Sequence, residues 1–326
     1  MAPMLHLRLQ SLEDDDPWII EQKNFDILND FLQPDSKLSS KEAAFQINEL
    51  TPMKREARGE ENAEHPESYL WEMWCFFIEI SKQIPHDHPS QGKLVSLIKE
   101  LKSLPSIEVE IWGPKKLRIW ADLPLIGAAW AEGWQEPSKH DTDFDEASRR
   151  AVNWHAFSAG LLQSGIAPWF MYVNRIFRLA FENEPNQKKE LAEHQIRAAA
   201  QWIEHSRQAI FQKVDVKFSN SDLTQFGEGP LFKRQKGKRG KKGKKGKKGK
   251  KGKKGKKGKK GKKDRRGISR ERWDFWEASF RAFGGERSGE VSEETAAVCR
   301  RAALQMTETS STTIPEVVNS FEAPDF

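Results

Sequence analysis

The stretch "YLWEMWCFFIEISKQ", from Tyr69 to Gln83, decides the fold class. Its apolar residues recur at the i, i+4, i+7 and i+8 spacing of an amphipathic helix, at Leu70, Trp74, Phe77 and Ile78. Two glutamates interrupt the apolar run, which is also too short to span a bilayer. The stretch therefore predicts a core helix of a globular domain.

The same helical period continues on both sides of this stretch. It predicts helices over 39–50, 90–104, 144–161, 170–181, 196–210, 273–283 and 292–306. Ser39 and Glu42 match a capping box, and Ser292 matches an N-cap. Only "SIEVEIWG", from Ser106 to Gly113, alternates like a strand, and one short strand makes no sheet. The sequence predicts an all-α fold, a multi-helix globular bundle.

A lysine- and glycine-rich tract interrupts the bundle. Between Lys233 and Arg266 there are 23 Lys and Arg residues and one acidic residue, Asp264. Subtracting these from the 54 basic and 48 acidic residues of the chain leaves 31 and 47, a net charge of −16 for the remainder. The basic isoelectric point therefore describes the tract and not the body.

The repeat disfavours regular structure. A glycine stands at every third place between like-charged lysines, a composition that opposes helix and strand alike. We predict a disordered basic insert over 233–267, and long surface insertions cost a fold little. The domain expectation is an N-terminal helical extension and charged linker over 1–60, one all-α domain over 61–306 around this insert, and a disordered tail over 307–326.

Five blocks of the sequence form a recognisable pattern: "IPHDHPSQ" (Ile84–Gln91), "DLPLIG" (Asp122–Gly127), "NWHAFSAGLL" (Asn153–Leu162), "AAAQWIEHSRQAIF" (Ala198–Phe211) and "RWDFWEASF" (Arg272–Phe280). In these blocks the chain resembles a family of filamentous-fungal proteins known as domain of unknown function 3632. This resemblance covers roughly residues 65–305, and the basic tract is not part of the pattern. The resemblance implies a soluble helical protein of unassigned function and supplies no catalytic residues.

The loop "PHDHP" contains the strongest metal-ligand candidates, His86, Asp87 and His88. Imidazole and carboxylate groups bind zinc or iron, but this loop needs further ligands and no second cluster is visible. The alternative is structural: Asp87 or Ser90 caps the following helix while a histidine bonds the backbone. We predict no metal and no cofactor.

The tryptophans allow two interpretations. They form the core of a helical domain, or some line an apolar ligand pocket, for which we name Trp120, Trp154 and His155. Within such a pocket His155 is a candidate general base near Glu132 or Asp122. The common nucleotide-binding, hydrolase and zincin motifs are absent from the sequence.

The tract is itself a candidate polyanion-binding site. Its repeated cations neutralise phosphates without reading sequence, and we name Lys241, Lys242, Lys244, Lys245, Lys247 and Lys248. It also resembles a nuclear-localisation run, but it has no aromatic residue on which bases stack.

Three functional hypotheses follow. The leading one is a non-enzymatic protein that acts through protein partners. The alternatives are a nucleic-acid-associated nuclear protein that uses the tract, and a small-ligand binder or enzyme with a Trp/His pocket. The N-terminal residues do not match a secretory signal, and no stretch is long and apolar enough for a membrane span. We therefore expect an intracellular protein, cytoplasmic or nuclear, without a membrane partner.

Overall fold

The computed structural model describes residues 2–61, 63–105, 107–114, 116–138, 140–184, 188–216, 227–235 and 267–312. The chain forms two compact units, Met1–Ala167 and Pro168–Phe326. Helices dominate both units, which confirms the all-α prediction. No helix among the described residues is long and apolar enough to cross a membrane. The domain boundaries expected from the sequence stay predictions.

The first unit contains seven helices and a small hairpin in its described residues. They are α1 (Ile19–Phe31), α2 (Ser40–Glu49), α3 (Pro52–Ala57), α4 (Pro66–Gln83), α5 (Ser90–Ser103), β1 (Glu108–Glu110), β2 (Lys116–Arg118), α6 (Ile126–Gly133) and α7 (Phe144–Gln163). Helix α4 packs against α3, α6 and α7, and α5 packs against α2 and α7. The stretch from Tyr69 to Gln83, which lies in α4, thus forms the centre of this unit.

Helix α4 is central because it is apolar on most of its circumference. Pro66 occupies its first turn, where the missing N–H costs no hydrogen bond. Its large side chains are buried, among them Trp74, whose indole N–H donates to Pro124 O at 2.6 Å. A buried indole needs such an acceptor.

The expectation that "SIEVEIWG" forms no sheet was wrong. β1 pairs antiparallel with β2, and Val109 lies opposite Leu117. The second strand escaped notice because Lys116 and Arg118 are exposed and leave only one apolar residue in a three-residue strand. Trp112 at the turn has φ 53° and is 67% exposed, so this tryptophan belongs neither to the core nor to a pocket.

The second unit contains α8 (Phe170–Phe177), which continues into a π-helical turn (Arg178–Glu182), then α9 (Lys189–Gln212), α10 (Arg270–Gly284) and α11 (Glu293–Ser311). Residues 230–235 are also helical. Helix α11 packs against α9 and α10. It ends at Ser311, so residues 307–311 of the expected tail belong to a helix. Residues 313–326 and 236–266 lie outside the described residues.

A buried ion pair organises the second unit. Glu182 Oε1 accepts from Arg272 Nε at 2.6 Å and from the Trp276 indole at 2.8 Å. Its Oε2 accepts from Arg272 Nη2 at 2.9 Å and from the Gly229 backbone N–H at 2.7 Å. Both ionised side chains are essentially inaccessible to solvent. Such a pair persists because the remaining lone pairs are also hydrogen-bonded.

Glycine is required where the chain passes this carboxylate. A Cβ on Gly229 would lie 2.5 Å from Glu182 Cβ and 2.6 Å from its carbonyl oxygen. Residue 229 precedes the basic tract, whereas Arg272 follows it. Glu182 therefore binds both flanks of the tract to the same site in the fold.

We predict that Glu182→Gln lowers the free energy of unfolding of the second unit by about 3–5 kcal/mol, because Arg272 keeps a buried charge without its counterion. Guanidinium unfolding followed by tryptophan fluorescence measures the loss. Glu290→Gln is the control, since its partner Arg287 is exposed and the expected loss is below about 1 kcal/mol. Equal losses in the two variants would contradict this interpretation.

Candidate functional site

The first unit contains a cavity of about 510 Å³. It lies beside the end of α4, the loop between α6 and α7, and the first half of α7. Its lining residues are Lys82, Gly133, Trp134, Gln135, Glu136, Pro137, Asp141, Thr142, Asp143, Glu146, Ala147, Arg150, Ala151, Trp154 and His155. A volume of this size accommodates a small organic molecule.

Three aromatic rings form the inner wall of the cavity. Trp134 meets His155 edge to face, with ring centroids 4.9 Å apart and an interplanar angle of 88°. Trp134 also meets Trp154 edge to face at 5.4 Å. His155 is only 1% exposed, so the protein and the cavity together form its surroundings. The rings pack on one another, which fixes the shape of this wall.

A carboxylate lies next to the histidine. Glu136 Oε1 is 3.7 Å from His155 Nε2, a separation longer than a hydrogen bond but within the range of an ion pair when the imidazole is protonated. The structure thus places a carboxylate and an imidazole side by side in the wall of the cavity.

Two cations, Arg150 and Lys82, also line the cavity. Arg150 Nη2 donates to both oxygens of Glu79, at 2.8 and 2.6 Å. Lys82 Nζ is 3.5 Å from Gln135 Oε1, and burial lowers the pKa of Lys82, an effect that the nearby Glu79 partly opposes. The charge of Arg150 is thus already compensated, whereas that of Lys82 is disfavoured by its surroundings.

The acidic residues at the mouth of the cavity also shape the loop. Asp143 caps α7 by accepting from Glu146 N at 2.9 Å. Asp141 Oδ2 accepts from Ser138 N at 2.8 Å. These short-range bonds hold the loop that carries Trp134 and Glu136 over the aromatic wall.

The structure brings together two of the three residues named for a pocket. Trp154 and His155 line the cavity, but Trp120 does not. Trp120 is buried against Trp74, at 6.1 Å between ring centroids, and its indole donates to Asn48 Oδ1 at 2.9 Å. It belongs to the core because its partners come from α2 and α4.

Sequence reasoning missed Glu136 and Lys82 as cavity residues. The carboxylate placed beside His155 is Glu136, whereas Asp122 binds the Arg118 guanidinium. Glu136 follows α6 in a loop without helical period, so the spacing from His155 carried no signal. Trp134 was visible in the sequence as one of many tryptophans, with nothing to separate it from the core.

Of the metal candidates, His88 makes hydrogen bonds that serve the local structure. His88 Nδ1 accepts from Ser90 N at 3.2 Å, and His88 Nε2 donates to Pro3 O at 2.9 Å. Neither Asp87 nor Ser90 caps α5 with its side chain; Ser90 Oγ instead donates to Leu32 O. Among the residues that the structure describes, no group of three His, Cys, Asp or Glu side chains is placed to hold a metal ion.

The lysines named for polyanion binding, Lys241 to Lys248, lie outside the described residues. Their described flanks are held by the second unit. Phe232 is buried and stacks on Phe275 of α10 at 5.4 Å, and Asp215 N donates to Ile268 O at 2.8 Å. The site that these lysines were predicted to form stays a prediction.

Residues 74–280 match the sequence profile of a family described as "Protein of unknown function (DUF3632)". The chain belongs to this family. The match confirms the resemblance noted in the sequence. It spans the cavity in the first unit and both members of the Glu182–Arg272 pair in the second. No curated protein matches the chain, and no solved structure does.

Within this DUF3632 protein, we predict that Lys82 reacts with acylating reagents at lower pH than an ordinary lysine. The cause is burial, which disfavours its charged form and lowers its pKa below 10.5. Acetylation measured by peptide mass spectrometry at several pH values gives the midpoint of its reactivity. A midpoint at or above 10.5 would contradict the assignment, and Lys82→Gln identifies the labelled peptide.

Proposed function

We propose that this protein acts by binding rather than by catalysis, and that the cavity beside His155 holds a small organic cation. The composition of the cavity wall carries the proposal. Four carboxylates and two cations line it, which gives a formal charge of −2 with His155 neutral. A negative cavity with an aromatic wall favours a positively charged ligand with an apolar body.

The formal charge stays at −2 when partners outside the cavity are included. Glu79 binds Arg150, and Arg149 in turn binds Glu146 at 2.6 Å. A cation that enters beside Glu136 therefore meets a lining in which carboxylates outnumber cations.

The remaining polar groups support binding over catalysis. Asp141, Asp143 and Arg150 are engaged in shaping the wall, as described above. Covalent catalysis needs a nucleophile next to a base. Among the lining residues the candidate nucleophiles are the Thr142 hydroxyl and the Lys82 amine, and Lys82 donates to an amide oxygen, that of Gln135. A non-enzymatic ligand binder exerts its effect through other molecules, so the proposal includes protein partners that respond to the occupied cavity.

The test compares a cation with a neutral molecule of the same shape. We expect benzylammonium to bind and benzyl alcohol to bind at least about tenfold more weakly, as measured by calorimetry at pH 7.5. Glu136→Gln should weaken benzylammonium binding about tenfold, because the ligand loses one partly buried counterion.

Glu108→Gln is the matched control, since Glu108 is exposed on β1, away from the cavity. We expect it to leave the affinity unchanged. Equal affinity for benzylammonium and benzyl alcohol would contradict the proposed ligand class. Turnover of any added amine by the purified protein would contradict the non-enzymatic part of the proposal.

A second candidate function is polyanion binding, with nuclear entry, through the tract over 233–266. The observation that favours it is the anchoring of both flanks at Glu182. The described residues on both sides of the tract meet at Glu182, so a long insertion between them costs only loop-closure entropy. The tract's net charge of +22 favours RNA, DNA or another polyanion without sequence preference.

We predict that retention on heparin falls steeply with salt and disappears when residues 236–266 are deleted. A ligand held by 6–10 phosphate contacts loses roughly 10³–10⁵ in affinity between 50 and 200 mM salt. The matched control replaces each lysine of the repeat by serine and keeps its length. Retention of the serine variant, or an unchanged cellular distribution of its fluorescent fusion, would contradict the corresponding part of the proposal.

A further inference from the structure

The N-terminal residues 3–9, here called the strap, lie extended along the first unit. Every second side chain is buried: Leu5, Leu7 and Leu9 are at most 8% exposed. Met4 is 52% exposed, and His6 and Arg8 are also exposed. The strap thus has the two-residue periodicity of a β-strand with one face buried.

No β-strand pairs with the strap among the described residues, and side-chain amides take the place of one. Gln33 Oε1 accepts from Leu5 N at 3.0 Å, while Gln33 Nε2 donates to Leu5 O at 3.2 Å. Gln83 makes the same two bonds with Arg8. Its Oε1 accepts from Arg8 N at 2.9 Å, and its Nε2 donates to Arg8 O at 2.7 Å. Each glutamine therefore satisfies both main-chain groups of one strap residue.

His88 adds a third main-chain contact. Its Nε2–H donates to Pro3 O at 2.9 Å, because Nδ1 is the acceptor of the Ser90 N–H. The histidine-rich loop that the sequence offered as a metal site thus binds the start of the strap. His88 is buried, so this tautomer is fixed by its two partners.

The three side chains also have hydrogen-bond partners outside the strap, which for His88 is Ser90 N. Gln33 Nε2 also donates to Asn29 O at 2.9 Å, and Gln83 Nε2 to Glu79 Oε1 at 2.8 Å. Glu79 in turn holds Arg150 of α7. Groups fixed in this way lose little conformational freedom when a peptide binds.

We infer that Gln33, Gln83 and His88 form a peptide-binding groove, here called the strap groove, that the strap occupies in cis. An extended segment of a partner protein with apolar side chains at alternate positions takes the strap's place. The groove contacts the main chain of residues 3, 5 and 8 and buries the side chains of 5, 7 and 9. The side chains of 4, 6 and 8 face solvent, so the groove does not read them.

This recognition mode makes few demands on sequence. Main-chain hydrogen bonds supply affinity, and alternate apolar pockets select the register, as in other sites that bind extended peptides. The cis strap competes at an effective concentration on the order of millimolar. A partner segment binds only when the groove is vacant. Its apparent affinity is therefore its intrinsic affinity multiplied by the vacant fraction.

The test uses the full chain with a protease recognition sequence in place of the exposed residues Asp14–Asp16. The probe is a fluorescein-labelled peptide with the sequence of residues 2–12. We expect the cleaved chain to exchange its strap for the probe and to bind it at least about tenfold more tightly than the uncleaved chain. Fluorescence anisotropy measures both affinities.

Variants of the groove identify the contacts. Gln33→Ala or Gln83→Ala should weaken probe binding about tenfold, because each removes two hydrogen bonds of roughly 0.5–1 kcal/mol each. Gln46→Ala, on the exposed face of α2, should have no effect. In the uncleaved chain, Leu7→Asp should release the strap and raise probe affinity at least about tenfold.

Two altered peptides test whether the groove accepts any extended segment with the right apolar spacing or only the strap sequence itself. A peptide with serine at positions 4, 6 and 8 should bind within about threefold of the probe. A peptide in which the leucines are moved to positions 4, 6 and 8 should not bind.

Four results would each overturn the inference. They are a folded, cleaved chain that does not take up the probe; loss of binding by the serine peptide; unfolding of the cleaved chain or of Leu7→Asp; and dimerisation of the uncleaved chain by mutual exchange of straps, seen by light scattering. The last result would identify a second copy as the occupant. The proposed cavity ligand plays no part in this test, so its outcome is independent of the proposed function.

Discussion

Buried polar groups need hydrogen-bond partners, and this constraint organises the second unit. In the second unit the Glu182 carboxylate accepts hydrogen bonds from Arg272, Trp276 and Gly229. In the first unit Glu79 accepts hydrogen bonds from Arg150 and Gln83. Gln83 also donates to Arg8 O in the strap. Breaking the set around Glu182 leaves groups that have lost water without gaining a protein partner, whereas the groups around Glu79 keep part of their exposure to water.

The set around Glu79 also links the two candidate binding regions of the first unit. Arg150 lines the cavity, whereas Gln83 lies in the strap groove, and both bind the same carboxylate. Helix α4 supplies Glu79 and Gln83 on adjacent turns, at the i, i+4 spacing at which helical side chains meet. The C-terminal end of α4 thus carries the two polar side chains, Glu79 and Gln83, that contact the cavity residue Arg150 and the strap.

Features with a local cause were predictable from the sequence. The Ser39–Glu42 capping box and the Ser292 cap occur as predicted, since each depends on residues three apart. The all-α class followed from apolar periodicity for the same reason. The β1–β2 pair and the extra turn of α11 were missed because a polar strand and a polar helix end have no such period.

Features that depend on distant contacts were not predictable. Trp154 and His155 are neighbours in sequence, so their shared site could be anticipated, but the approach of Glu136 requires the loop after α6 to fold back. Trp120 was misassigned because its acceptor, Asn48, is 72 residues away. The glutamine contacts to the strap span 28 and 75 residues and involve a residue type that carries no distinctive motif.

The central claim is that an organic cation binds against the aromatic wall of the cavity, and nuclear magnetic resonance of the tryptophan indole N–H groups tests it most directly. The signals are assigned by single Trp→Phe substitutions, and benzylammonium is then titrated into the full chain. We predict saturable shifts of the Trp134 and Trp154 signals, with the Trp120 signal unchanged. Unchanged signals from Trp134 and Trp154, or an equal shift of Trp120, would contradict the account.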